Sequence, residues 1–496
     1  MRGKLLTLCT LMALSGQAQD FSGYSTGNYT GVNSVFFNPA NIADSRYRWD
    51  LNLVSLHTFV GNNKASFGLR KGNSAFNSDS LEERVLGKNA GPSSGFVNLD
   101  LHGPSLMLNT GRKSAMALTT RLRVTANMLN LDGKLVASLN RDQEELEDRY
   151  TIASNENMRI TVNAWRETGL SYARVLQDQG KHFLKGGLSL KYLAGVANGF
   201  VQLDRFKATA VWEKQPKDDV YLSNTTGRIA TGFGGINLSD PEAGDFFQRQ
   251  GSGLGMDLGL VYEFRPDHEQ YKKPGTDQWR NDRSKYKWKA SFALLDIGRI
   301  RYKKDVERSG AYDIQITGNE RFYLSEIDTV DVDSYKSFFD AKPQYFTPAA
   351  SNGESAYNAA LPATLQAAVD YHLSKGFYAS FAGQLPLTGK DKVAGSRALT
   401  SFTLTPRYEG RGFGFYLPLN YNSLTQVNAG ISLRAGPLFI GSGSILTTLL
   451  GQSKAADFHV GIRVGGLQKD LVKKEQKAAR REERRKERPK KRADNE

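Results

Sequence analysis

The sequence predicts an all-β fold: an antiparallel transmembrane β-barrel of about 14 strands with a small N-terminal plug and a disordered or helical C-terminal tail. Three observations point there. Apolar and polar residues alternate with period two, and many runs hold phase for ten residues or more. Strands in soluble proteins average about five or six residues, whereas a membrane-crossing strand needs about nine to eleven. The composition, with 49 Gly and 21 Tyr against 15 Pro, suits a twisted sheet with tight turns and interfacial aromatics. Finally, the chain opens with an export signal but has no later apolar run near ~20 residues, which excludes an α-helical membrane protein and leaves a barrel, whose strands are only half apolar.

The first element is the leader, residues 1–18. Arg2 and Lys4 form a basic n-region, Leu5 to Leu14 an apolar region of ten residues, and Gly16-Gln17-Ala18 a small-x-small cleavage signal. This is the pattern of a secretory signal peptide, too short to span a bilayer, with cleavage expected after Ala18. Cys9, the only cysteine, lies within it, preceded by Leu8 where a lipoprotein signal wants a small residue. The exported chain is therefore expected to have no disulfide, no thiolate metal ligand and no cysteine nucleophile. At this size it can bury enough surface to fold without staples.

Residues 19–47 are expected to form a plug or hatch. Thr30 to Phe37 reads as a short helix or extended plug, with Phe36 and Phe37 leading into Asn38-Pro39. Pro39 disfavours helical backbone at Asn38, while Asn is a good N-cap and Pro a good first helical residue. A second short helix is expected to begin there and run through Ala40. Two short helices ahead of a barrel have one obvious place to go, its lumen. The alternative is a plain β-turn before the first strand.

Residues 48–468 carry the alternation. In Ser114–Met128, Met116, Leu118, Leu122 and Val124 share one face, and Thr119, Arg121, Arg123 and Thr125 the other. Leu254, Leu258, Leu260 and Phe264 alternate with Asp257, Glu263 and Arg265, and Phe458, Val460, Ile462 and Val464 with His459 and Arg463. A soluble sandwich and a membrane barrel both fit this pattern, and both place Arg121 and Arg123 in water. Run length and aromatics near strand ends, such as Tyr262, Tyr408 and Tyr421, favour the barrel. Short hairpins are expected at Gly61-Asn62-Asn63 and Gly410-Arg411-Gly412. Long connections are expected at Lys71–Ser94, Leu131–Asn157, Lys214–Gln250, Arg265–Lys285 and Lys304–Ala360, with a solvated helix at Arg141–Arg149. The lumen-facing candidates are Asp100, Arg121, Arg123, Asp257, Glu263, Arg265, Arg434 and Arg463, with Lys185, Lys191, Asp370 and Arg407 in the same phase. They fit either an ion-pair and water network that keeps the barrel round or a polar path.

Lys469 to Glu496 is the compositional outlier, with thirteen Lys or Arg and seven Asp or Glu. It cannot build a core. In a barrel with an even strand number and both ends periplasmic, this tail hangs below the outer membrane. There it could meet peptidoglycan carboxylates, anionic head groups or an acidic envelope partner, or serve only as a solubilising tail.

The sequence resembles a known group at a few short stretches. Asn38-Pro39-Ala40 shortly after a leader and Leu361-Pro362-Ala363-Thr364-Leu365 ahead of a late strand resemble the FadL and PorV group of outer-membrane proteins, and Gly436–Leu450 with Ala456–Gly466 at the close resemble the closing strands of uncharacterised relatives. The resemblance implies a fourteen-stranded barrel with a hatch around Asn38, Pro39 and Ala40. It implies either passage of hydrophobic molecules, as in FadL-like members, or a role in type IX secretion, as in PorV-like ones. Two departures stand out: Asn41 replaces the group's usual Gly, and the chain continues beyond its last strand.

Nothing points to catalysis. His57, His102, His182, His268, His372 and His459 are scattered, with no HExxH spacing, and no GxSxG elbow is present. Gly232–Asn237 reads as a loop, not a phosphate cradle. No catalytic residue, metal or cofactor is expected. The expected partners are outer-membrane lipid and a hydrophobic small molecule, not nucleic acid. The expected function is passive uptake through a hatch-gated lumen, or alternatively a non-transporting scaffold. Passage calls for an apolar pocket near the hatch and a gap in the wall. A scaffold calls for a sealed lumen and ordered loops.

Overall fold

The computed structural model describes residues 21–66, 68–69, 92–140, 147–154, 157–236, 244–272, 280–328, 330–331 and 334–468. The expected leader (1–18), the expected tail (469–496), most of the Lys71–Ser94 connection and most of the expected helix at Arg141–Arg149 lie outside them.

Fourteen barrel segments follow one another around the lumen. They are β1 (Tyr47–Asn62), β2 (Ser93–His102, resuming at Ser105–Asn109 after Pro104), β3 (Ser114–Leu131), β4 (Met158–Gln179), β5 (His182–Glu213), β6 (Gly251–Phe264) and β7 (Trp288–Lys303). Next come β8 (Thr364–Ser374, prefaced by Ala356–Ala360), β9 (Phe377–Pro386), β10 (Ser401–Glu409) and β11 (Phe413–Tyr416 and Leu419–Asn422). The last are β12 (Gln426–Ala429 and Ile431–Ala435), β13 (Leu438–Ser442) and β14 (Ala455–Leu467). Each pairs antiparallel with the next, and β14 returns to β1, from Tyr47 opposite Leu467 to Gly61 opposite Ala455. Closure leaves no barrel edge unpaired.

The alternation becomes an inside and an outside. Along β5, Leu190 and Tyr192 are 57% and 43% exposed while Lys191 between them is 5% exposed. The same inversion runs around the barrel, with Leu118, Leu170, Leu260, Phe292, Phe381 and Leu404 outside. A closed barrel with an apolar outer band and a polar interior is an outer-membrane protein. Arg121 and Arg123 are thus not in water: both are buried inside.

Strand ends sort the connections. The chain ends of β1 and β14 share one mouth with the turns at 110–113, 180–181, 375–376, 410–412 and 436–437. In an even-stranded barrel this is the periplasmic mouth. One expectation is corrected here. Gly61-Asn62-Asn63 is not a hairpin but the outer end of β1, leading into a long connection. Arg265–Lys285 is long yet lies at the periplasmic mouth, because it carries Lys285 and the adjoining Tyr286 inward against the plug.

At the opposite mouth the long connections fold. The far part of β5 leaves the barrel and pairs with Arg149–Ala153 and Asp219–Gly235. That last strand pairs in turn with Gly310–Ile316 and Phe322–Tyr323, and Gly310–Ile316 with Phe346–Pro348. Tyr150, Ile152, Phe206, Leu222, Tyr312 and Phe339 form a core of their own beneath the helices Gly133–Asn140 and Tyr335–Asp340. This cap absorbs Gly232–Gly235 into a strand, not the loop expected there.

Candidate functional site

The lumen is filled from below by residues 21–46. Two 3-10 helices, Gly31–Phe36 and Pro39–Ile42, form its middle. Asn38 caps the second: its side-chain oxygen accepts from the Ala40 N–H at 2.9 Å. Its amide nitrogen donates to the wall carbonyls of Leu260 at 3.2 Å and Phe292 at 3.0 Å. One polar side chain therefore shapes the turn and fastens it to β6 and β7. Val32, Val35 and Ile42 pack against Met107 and the small wall residues Ala115, Ala117 and Ala173. Phe37 lies on Ala368 and Ala382, and Phe36 meets Arg121 and the His102 ring.

Ion pairs pin this plug near the periplasmic mouth. Asp44 accepts from Arg265 at 2.8 Å and Lys285 at 3.1 Å, and Arg265 also binds Glu263 at 2.6 Å. Burial alone would raise the Asp44 carboxyl, but Lys285, Arg46, Arg265 and Lys185 hold it below its ordinary value. Burial lowers the Lys285 ammonium to about 8. Glu409 accepts from the Asn28 backbone at 3.0 Å and from Tyr416 at 2.9 Å, while Arg407 joins Glu409 to Asp370. Asp50 accepts the Val32 N–H at 2.8 Å and pairs with Arg463. Arg434 faces inward but binds the carbonyls of Gly410, Arg411 and Phe413, bracing the turn between β10 and β11.

Above the plug sits a denser lattice. Arg121 binds Glu167 at 2.6 Å and Asp296 at 3.2 Å. Arg123 binds Asp296 at 2.7 Å and Asp100 at 3.2 Å. Lys191 binds Asp257 and Asp296, each at 2.6 Å. Asp296 joins all three cations because of a β-bulge: the β6–β7 register slips between Leu294 and Ile297, and Asp296 takes a φ of +57°. Two residues then oppose one, and the extra side chain turns inward. The same site interrupts the wall. The β7–β8 ladder stops at Leu295 opposite Thr364 and resumes at Arg299 opposite Ala360. Between them the Leu361 N–H donates to Gly298 at 3.0 Å.

The lumen is closed from above by residues 387–400, which turn inward. Ser396 bonds Thr125 at 2.6 Å and Asn163 at 3.2 Å, and the Arg397 N–H donates to Asn127 at 2.8 Å. Between this loop and the plug remains a space of about 30 Å³, floored by Phe36, walled by Arg121, Arg123, Lys191 and Asp296, and reaching Leu295 and Pro362 at the wall interruption. It has room for about one or two waters. It is polar, not the apolar pocket that passage was expected to need.

Asp100, Arg121, Arg123 and Asp257 thus meet in one lattice, Glu263 and Arg265 in the Asp44 cluster, and Arg463 and Arg434 each stand apart. Asp296 and Glu167 escaped sequence reasoning. The signal for Asp296 was the phase break in Leu294-Leu295-Asp296-Ile297, where two adjacent apolar residues break the alternation. The histidines are not all scattered: His57, His102 and His459 converge on the Phe21 ring, at 5.8, 5.0 and 5.8 Å between centroids. Cross-strand register does this, since His57 stands opposite His459 and Asp100.

A family described as a family of unknown function, DUF5723, matches residues 39–443, and the chain belongs to it. No curated protein matches. Among solved structures the chain is similar to a FadL homologue of Pseudomonas aeruginosa, at 11% identity and a TM-score of 0.42, covering 90% of this chain and 98% of that one. It is also similar to the toluene transporter TodX of Pseudomonas putida, at 9% identity and a TM-score of 0.32, covering 89% and 95%. The translocator domain of the autotransporter NalP from Neisseria meningitidis follows at 9% identity and a TM-score of 0.29, covering 84% and 88%. These are distant likenesses of barrel shape and carry no information about what this chain handles.

Proposed function

We propose that this DUF5723 protein is a gated outer-membrane channel for small hydrophobic molecules with a polar end, closed in the state described. One observation supports it most: the interior space between plug and inward loop lies at the interruption between β7 and β8. Phe36, Leu295 and Pro362 offer apolar contact there, and Arg121, Arg123 and Lys191 offer charge. At about 30 Å³ the space holds no such molecule, so passage requires the plug or the loop to move. The ion pairs around Asp44 and Asp50 are then the latch, and the leader (1–18) delivers the chain to the outer membrane.

We keep a second reading as the alternative that the test must separate. The ion-paired lumen and the cored cap suit a non-transporting envelope scaffold or a PorV-like secretion accessory, with the basic tail engaging peptidoglycan or an acidic partner. Binding of a fluorescent fatty-acid analogue to purified protein, with and without residues 21–46, separates the two. Folding of both forms is checked by heat-modifiable gel mobility. Saturable binding that changes on deletion supports the channel. No binding in either folded form supports the scaffold, and a pull-down with the tail follows.

A further inference from the structure

The bulge at Leu295–Asp296 also acts on the outer wall. Before it, even-numbered residues of β7 face the membrane, as at Phe292. After it the phase flips: Ile300 and Tyr302 are fully buried inside, and Arg299, Arg301 and Lys303 stand exposed outside. These three cations make no side-chain hydrogen bond or ion pair among the described residues. They lie toward the mouth opposite the chain termini, where the apolar band ends.

The register extends the patch sideways. Arg301 stands opposite Ser252, Ser252 opposite Ala194, and Ala194 opposite Arg166. One cross-strand row thus carries Arg301 and Arg166 roughly 14 Å apart, three strand spacings. One row closer to the membrane, Arg299 stands opposite Leu254 and Leu254 opposite Tyr192, these last two 73% and 43% exposed. Arg249 donates to the Tyr192 hydroxyl at 3.1 Å. Among the described residues of the adjoining connection the acidic one, Asp245, accepts from Gln248 at 2.9 Å. The arrangement is a column of three cations along β7 beside an apolar and aromatic shelf that continues the membrane-facing band, with Arg166, which donates to the Phe247 carbonyl at 2.7 Å, on the row of Arg301.

We infer that this sector of β4 to β7 binds the phosphate-bearing headgroup of an outer-leaflet lipid, with the acyl chains lying on Leu254 and Tyr192. Two observations choose the occupant. Unpartnered cations complement phosphate, and the shelf is continuous with the surface already in lipid. The site is independent of what the lumen passes.

The test uses the full chain in detergent, read by native mass spectrometry as retained lipid. The probes are a diphosphorylated glycolipid, a zwitterionic lipid with the same acyl chains, and inorganic phosphate as competitor. Wild type is expected to retain the phosphorylated lipid, and the variant R299Q/R301Q/K303Q to lose affinity on the order of a hundredfold. R174Q, an outward cation near the periplasmic mouth, is expected to match wild type. R299K/R301K keeps the charge and is expected to retain most binding. The single variant R301Q is measured alongside, should the triple variant fail to fold. Equal retention by wild type and the glutamine variants overturns the inference. So does equal retention of the zwitterionic lipid, or displacement by millimolar phosphate alone.

Discussion

Gly187 and Gly259 face each other across β5 and β6, and the backbone from Asn38 to Ala40 occupies the space their side chains would fill. A Cβ on Gly187 would lie 2.4 Å from the Ala40 nitrogen, and one on Gly259 would lie 2.1 Å from the Asn38 side-chain oxygen. The plug is thus seated in a window of bare backbone, and Asn38 locks it there through two wall carbonyls.

Gly259→Ala is therefore expected to unseat the plug while leaving the barrel closed. Overpacking of this kind costs about 1–3 kcal/mol. Limited proteolysis should cut within residues 21–46 of the variant but not of wild type, with heat-modifiable mobility unchanged. Unaltered protection would mean that the plug does not depend on the window.

Asp296 bridges Arg121, Arg123 and Lys191 in a buried lattice. Asp296→Asn leaves these cations undercompensated, and the expected loss is about 3–5 kcal/mol in guanidinium unfolding. The exposed pair of Arg228 and Asp313, 43% and 52% exposed, is the control. Arg228→Gln is expected to cost no more than about 1 kcal/mol.

The Asp44 latch sets a pH dependence. Burial opposes its ionisation, yet its cationic neighbours hold the folded-state value below the unfolded one, which is about 3.9. Its contribution is complete above that value and is lost as the pH falls through the folded value. Proteolytic protection of the plug is expected to be flat from neutral pH down to about 4 and to fall below it. Asp44→Asn should show weakened protection already at pH ~7 and little further change in acid.

The cap has its own core, so it is expected to melt separately from the barrel. Phe339, 2% exposed, packs on Tyr312 and Phe346. Phe339→Ala is expected to destabilise the cap by about 3–5 kcal/mol. Protease sites within residues 306–355 should open while the barrel keeps its heat-modifiable mobility.

Much of the barrel was legible because period two survives wherever one face meets lipid. Leu190, Lys191 and Tyr192 carry their positions in their polarity. The cap was not legible, since Ile152, Phe206 and Ile314 alternate just as barrel residues do and differ only in their partners. Asp296 was hidden because a bulge breaks the phase that makes strands readable. The convergence of His57, His102 and His459 depends on register between strands distant in sequence. Asn38 and Pro39 were readable because capping is local chemistry, but the window of Gly187 and Gly259 that receives them is not local.

Movement of the plug is the most direct test of gated passage. The Thr26 and Ser380 hydroxyls, one on the plug and one on β9, lie 3.0 Å apart, and the only cysteine of the sequence is Cys9, outside the described residues. Thr26→Cys with Ser380→Cys thus allows a disulfide that locks the plug to the wall. Uptake of a hydrophobic fluorophore into proteoliposomes carrying this variant is measured oxidised and then reduced. Gated passage predicts no protein-dependent uptake when oxidised and its return on reduction. Equal uptake in both states would contradict a plug that gates the lumen.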